Sequence, residues 1–290
     1  MNSISQVERY PVTAWTWKRP GHIAIGSDEH KEMFCRMLLD TFDPYKPAEL
    51  DWPDLEGDVL ARITGLPFWQ VAVDTEDKAS IHVAEQAKIT GDPLLREAVE
   101  LMAFEEARHR RVLSALVTHY GIPLVENPPY HPPLSRAEWN FMSTGYGECL
   151  DSFFAFGLFE LASSSGYFPP ELIATFEPVI QEEARHLVFF VNWAAYMQAN
   201  APIMEKPWFA VKRLLHLGLN GLGRLGFATE GDENFAATGK ESVGIDISLG
   251  GFMDMCQSEN ARRMAQLDPR LLRPTIIPRT VKVLRRFIPN

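Results

Sequence analysis

The chain has 290 residues, 46% hydrophobic and 23% charged, enough to bury a sizeable core, and its net charge of −10 argues against general nucleic-acid binding, which needs a basic face. Cys35, Cys149 and Cys256 are widely spaced and form no Cys-x-x-Cys, so neither a disulfide framework nor a zinc ribbon is indicated, and a reducing cytoplasm is the expected compartment. Met1 to Pro11 lacks a basic region followed by an apolar run, and no apolar stretch reaches the roughly 18 residues of a spanning helix, so neither a secretory signal nor a membrane span is expected.

Residues 1–65 are rich in turn-formers and aromatics, among them Trp15, Trp17, Pro20, Pro44 and Pro53, with one short helix expected from about Asp28 to Asp40. They read as an ordered extension wrapped on a core. From Pro67 the pattern becomes helical, and a first long helix runs to about Thr90. Gly91-Asp92-Pro93 breaks it, with Pro placed to open a second helix to about Tyr120. A Pro-rich loop, Pro123 to Pro133, leads to a third helix from about Ser135 to Ser164. Pro169-Pro170 then opens a fourth, from about Glu171 to Ala199. A further apolar and basic helix is expected over about Trp208 to Phe227. After it come a Gly-rich loop, Gly231 to Gly251, a helix over about Phe252 to Leu267, and a tail. No strand signal is convincing, although Ser242 to Leu249 alternates weakly.

The pentapeptide Glu-Glu-Ala-Arg-His occurs twice, at Glu105 to His109 on the second helix and at Glu182 to His186 on the fourth. Within each copy Glu106 and His109, or Glu183 and His186, project from one helix face, so a carboxylate and an imidazole converge. The order of helix, short turn, motif helix, crossover, then the same again is an internal duplication of a helical hairpin. Two such hairpins related by an approximate two-fold make an all-α four-helix bundle over residues 66–200, with the motif helices facing each other. The extension of 1–65 and the C-terminal helices and basic tail of 201–290 complete a single domain.

With both motifs in place, the sequence resembles the ferritin-like diiron-carboxylate proteins, in which two helices each give Glu-x-x-His and two others each give one carboxylate. The acid before each Glu and the Arg before each His look more like the oxygen-activating branch, the multicomponent monooxygenases and acyl-carrier desaturases, than like storage ferritins. The resemblance implies two iron ions, or Mn/Fe or Mn/Mn, with Glu106 and Glu183 able to bridge and His109 and His186 terminal. Mixed imidazole and carboxylate ligation suits iron independently, and two cations in one site need several negative ligands.

The remaining carboxylates must lie level with the motifs on the other two helices. With a rise of about 1.5 Å per residue, the antiparallel partner of Glu106 falls about 14 residues before the Gly91 turn, on Glu76, which shares the apolar stripe of Trp69, Val73 and Val83. Glu85 lies too near the turn. On the third helix the same reasoning reaches Asp151, which fits the level, and Glu148, which has the longer reach and is the residue type the family places there; both stand as candidates. Glu160 is too close to the helix end.

Metal-bound His donates its other ring N–H to a carboxylate as a rule. Under the two-fold, Glu105 would serve His186 and Glu182 would serve His109, with Arg108 and Arg185 offsetting the buried acids. Phe153, Phe154, Phe156 and Phe159 crowd the third helix as core or as an apolar substrate pocket, and Tyr146 is a candidate redox neighbour. His22, His30, His82, His119, His131 and His216 carry no assigned role.

The expected function is a non-haem diiron oxygenase or oxidase that uses O2 to hydroxylate, desaturate or N-oxygenate a small, largely apolar organic substrate. Its partners would be that substrate, an electron donor protein or reductant, and a second copy of the chain in a homodimer. Ferroxidase or iron-handling activity, and a metal-free helical interaction protein, are the alternatives. The tail over 270–290, basic and apolar with no acid, is a candidate contact for an anionic membrane or a carrier protein.

Overall fold

The computed structural model describes residues 11–230 and 247–288, and all regular secondary structure among them is helical. In chain order the helices are α1 (Asp28–Asp40), α2 (Gly57–Thr64), α3 (Trp69–Ile89), α4 (Pro93–His119), α5 (Ala137–Ser164), α6 (Pro170–Asn200), α7 (Lys206–Glu230), α8 (Leu249–Met264) and α9 (Ile276–Leu284). Most of the Gly-rich loop expected from Gly231, and most of the weak alternation from Ser242, lie outside the described residues.

The four long helices start and stop where the sequence punctuates them. Asp92 caps α4 by accepting from Leu94 N and Leu95 N at 3.0 Å, and Pro93 opens the helix where its missing N–H costs nothing. Pro170 likewise opens α6, following Pro169 at a terminus with no side-chain cap. Helices α3, α4, α6 and α5 pack in a closed ring, each touching the next. The tight α3–α4 and α5–α6 turns make two antiparallel hairpins, and the Pro-rich segment between Tyr120 and Pro133 is the non-helical crossover.

Two departures from the sequence expectations concern short helices. α2 stands where only turns were expected, because its Leu60 and Ile63 dock with Leu66 and Trp69 against Leu116 and Leu172. α9 stands in the expected tail; Pro278, in its first turn, leaves its hydrogen bonding intact. The N-terminal extension contributes to the core itself. Met33, Phe34, Met37 and Leu38 of α1 are fully buried among Val99, Met102, Phe189 and Phe190.

Beyond the ring, α7 packs on α5 and α6, and α8 packs on α5 and α6. Helices α5 and α8 approach closely at Gly157. A Cβ there would meet Cys256 Sγ at 2.3 Å and Cys256 Cα at 3.1 Å. Backbone cannot step aside as a flexible side chain can, so Gly157→Ala should destabilise the chain by about 1–3 kcal/mol. A urea midpoint equal to that of the unaltered chain would contradict this packing.

The termini of the described chain are fastened together. Trp15 N donates to Gln266 O at 3.0 Å, and Trp17 N donates to the buried Asp268 at 2.9 Å. Arg270 donates to both oxygens of Asp268, and mainly for that reason the carboxyl falls from its ordinary 3.8 to about 2. A depressed carboxylate stabilises the fold above its unfolded pKa and loses that contribution as pH falls through its folded one. The stability difference between the unaltered chain and Asp268→Asn should therefore be constant above pH 3.8 and shrink toward pH 2, read by denaturant titration across that window.

Candidate metal centre

The two motifs meet in the middle of the ring, on α4 and α6. One ligand atom from each of Glu106, His109, Glu183 and His186 lies within 4.8 Å of the others, and this group forms a potential metal site. His109 Nδ1 is 3.0 Å from Glu183 Oε1, and His186 Nδ1 is 2.9 Å from Glu106 Oε1. Each imidazole therefore faces the Glu of the opposite motif, as the two-fold requires. The two rings lie 5.5 Å apart, inclined by 30°.

The outer ring nitrogens are held by the first acid of the opposite motif. His109 Nε2 is 2.8 Å from Glu182 Oε2, and His186 Nε2 is 2.7 Å from Glu105 Oε2. Behind these acids stand the arginines, Arg185 Nη2 at 2.6 Å from Glu105 Oε1 and Arg108 Nη2 on Glu182 Oε1. A carboxylate accepting at Nε2 fixes the tautomer, so a neutral imidazole presents the lone pair of Nδ1 inward. Neither Nδ1 is aligned for a hydrogen bond with its nearby carboxylate, and Glu106 Oε1 has no hydrogen-bond partner either. Lone pairs aimed at one another in a buried space are what a cation would reconcile.

The structure also brings in acids of the other two helices. Glu76 of α3 places Oε2 3.6 Å from His109 Nδ1 and leaves 21% of its side chain exposed. On α5, both oxygens of Glu148 are buried with no hydrogen-bond partner, in the field of Glu106, Glu183 and Glu76. Asp151 is half-buried, one helical turn further along α5. Ser152, at the same level, donates to Glu183 Oε2 at 3.3 Å. Glu85 is paired with Lys88 at 2.6 Å.

Burial drives the titration of the outer pair of acids. It lifts Glu148 well above the carboxylate range, helped by Glu106 and Glu183, and lifts Glu76 to about 7 against the pull of His109. The histidines go the other way. Burial opposes their charge, yet Glu106 and Glu105 push His186 up to about 10, and Glu182, Glu183 and Glu76 raise His109 well above its usual value. Burial works against ionised Glu105 and Glu183 too, but His186 with Arg185 and His109 respectively hold them below the ordinary value. In the fully deprotonated state that metal ligation requires, with both imidazoles neutral and Glu76 and Glu148 ionised, the six carboxylates of Glu76, Glu105, Glu106, Glu148, Glu182 and Glu183 stand against the guanidiniums of Arg108 and Arg185, and four negative charges are left for a metal pair to balance.

Several groups at the site carried no signal in the sequence. Arg108 Nη1 donates to Asp43 O at 2.6 Å and Tyr45 O at 3.1 Å, and its guanidinium lies 3.9 Å from the centre of the Tyr45 ring. Tyr45 OH donates to Glu182 Oε2 at 3.3 Å, and Arg185 Nη1 reaches Leu38 O and Thr41 Oγ1 at 3.4 Å. The chain after α1 thus closes the outer side of the motif pair. The phenylalanines of α5 divide between cores, Phe156 in the main one and Phe153 with Phe252 and Cys256 of α8. Tyr146 is buried against Phe190 and accepts from Arg213 Nε at 2.8 Å.

No protein-family model, no curated protein and no solved structure matches this chain. The helical fold and the Glu/His cluster, compatible with a metal pair, stand on the geometry alone.

Proposed function

We propose that the cluster binds two iron ions and that the chain is a non-haem diiron oxidase or oxygenase acting with O2 on a small, largely apolar organic substrate. The observation that carries the metal reading is the donor set: one ligand atom from each of Glu106, His109, Glu183 and His186 lies within 4.8 Å of the others, and the Nδ1 atoms of both imidazoles, Glu106 Oε1 and both oxygens of Glu148 are buried without hydrogen-bond partners; once deprotonated, the site would carry the charge to balance two divalent cations. His109, His186, Glu106, Glu183, Glu76 and Glu148 would hold them, in a ring of helices that we read as a ferritin-like bundle. Between the two candidates on α5 we assign Glu148, because its oxygens are buried without partners in the field of Glu106 and Glu183. The same donors would accept Mn/Fe or Mn/Mn.

Held by these residues, a reduced metal pair would supply the electrons for O2 activation. The chain's own residues supply the setting. Glu105 and Glu182 hold the Nε2 protons and so orient the imidazoles, while Arg108, Arg185 and Tyr45 seal the outer side against water. Glu76 retains some exposure, which favours access from the α3 side.

Oxidase chemistry is favoured over iron storage by the acid-Glu-x-Arg-His form of both motifs and by the large part of the chain outside the ring. Stepwise addition of ferrous ion under air separates the two. An oxygenase should stop consuming O2 near two irons per chain, retain them, and resume turnover only with a reductant and an organic substrate. Uptake continuing to tens of irons per chain, with growth of a large assembly in light scattering, would instead establish iron storage.

A further inference from the structure

The fold uses only part of the basic tail. Arg270 holds Asp268 at 2.7 Å, Arg285 holds Asp254 at 3.1 Å, and Arg273 donates to the carbonyls of Met264, Leu267 and Asp268 at 3.1, 2.7 and 2.8 Å. Arg279 and Lys282 are exposed and have no ion-pair partner among the described residues. Both line a cleft of about 370 Å³ between α8 and α9. One face of each helix forms it, with Asn260, Ala261 and Met264 of α8 across from Pro278, Arg279 and Lys282 of α9. Gln257 Nε2 donates to Pro278 O and so ties the two helices together. No acid lines the cleft, and Asp254, Glu259 and Asp268 on these elements are paired with Arg285, Arg262 and Arg270. Asn260 is 8% exposed, yet its amide makes no hydrogen bond among the described residues. A buried amide without a partner is costly, and native structures rarely leave one so unless something else completes it.

We propose that this cleft binds a phosphate monoester. Such a group carries close to two negative charges at neutral pH and offers three acceptor oxygens. Arg279 and Lys282 match that charge, and the Asn260 amide adds an N–H donor from the buried side. Thr275 stands at the N-cap of α9 but makes no capping bond with its side chain, so its hydroxyl and the positive end of the helix are both open to an anion. The opposing dipole end, at the last turn of α8, is offset by Arg273 on the Met264 carbonyl. Ala261, Met264 and Pro274 supply an apolar wall for the organic body of the ester, and the volume is that of a small-molecule site. A soluble ester and the headgroup of phosphatidic acid present the same dianion, and the test separates them. The inference uses no residue of the metal site.

The test is isothermal titration of the full chain with phenyl phosphate, and with benzenesulfonate as a singly charged control. Beside it stand the double variant Arg279→Gln, Lys282→Gln and the single variant Asn260→Leu. One phenyl phosphate per chain is expected, bound more tightly than benzenesulfonate and more weakly as salt is raised. The double variant, altered only at exposed side chains, should keep its melting temperature and bind at least about tenfold more weakly. Asn260→Leu should also bind more weakly while the ligand-free chain is no less stable, because an unpartnered amide has been removed. A parallel sedimentation uses vesicles containing phosphatidic acid or phosphatidylglycerol, a diester. Binding to the phosphatidic acid vesicles alone, lost in the double variant and without heat from phenyl phosphate, would place the monoester on a lipid. No heat from phenyl phosphate and no sedimentation with phosphatidic acid overturns the proposal. So does equal affinity for benzenesulfonate, or binding that the double variant leaves unchanged.

Discussion

His186→Ala should remove one of the two bound metal ions, and His109→Ala the other, each leaving a chain that still folds. Each imidazole gives the site its single nitrogen donor on that side, with Nδ1 turned inward and Nε2 held outward by Glu105 or Glu182. Among the described residues no other imidazole belongs to the cluster to replace the lost ligand. Glu105→Gln should act more mildly. It keeps a hydrogen-bond acceptor for His186 but weakens the orienting charge, and a loss of about 10–100-fold in metal affinity is expected with the stoichiometry preserved. Protons compete for the same atoms. His186, held up to about 10, and the raised His109 keep their protons at neutral pH, and a metal ion must displace them. Apparent affinity should therefore rise with pH in the unaltered chain, and this dependence should be shallower in His186→Ala. Metal content after desalting, measured at several pH values, checks all three.

Arg185→Leu should cost the metal-free chain about 3–5 kcal/mol, the usual penalty for breaking a buried ion pair from one side. Arg185 is about as buried as Glu105, and the variant takes away the closest guanidinium of that carboxylate, leaving it His186 and, at 3.7 Å, Arg108. It also removes the donor that ties α6 to Thr41 and the Leu38 carbonyl. Changing the pair together, Glu105→Gln with Arg185→Leu, should recover part of the loss, because no unpaired charge then remains. Chemical denaturation of the single and double variants measures this coupling. A single variant as stable as the unaltered chain would mean that Glu105 does not depend on its guanidinium.

The helices of the ring were legible because Gly91-Asp92-Pro93 and Pro169-Pro170 act locally, through φ restriction and capping, on the residues beside them. The crossed pairing of the motifs was legible for a different reason: a repeated pentapeptide on two antiparallel helices leaves Glu105 opposite His186 and Glu182 opposite His109 by symmetry. The choice between Glu148 and Asp151 was not legible. Helix rise fixes the level of a residue to within a turn, whereas the direction of its side chain depends on helix rotation, which packing sets. Tyr45, Thr41 and the carbonyl of Asp43 were invisible for a related reason, since their contacts join segments far apart in sequence and use backbone atoms that every residue has. α2 escaped notice because two helical turns carry too little periodicity.

The central claim is that Glu76, Glu106, His109, Glu148, Glu183 and His186 hold a pair of transition-metal ions, and a metal count per chain tests it most directly. The purified chain is stripped with chelator, reconstituted anaerobically with excess ferrous ion, desalted, and assayed for iron against protein. About two irons per chain are expected, matching the four negative charges that the donor set carries once metal ions have displaced its protons. A chain that retains no iron, while keeping its helical content, would contradict the account.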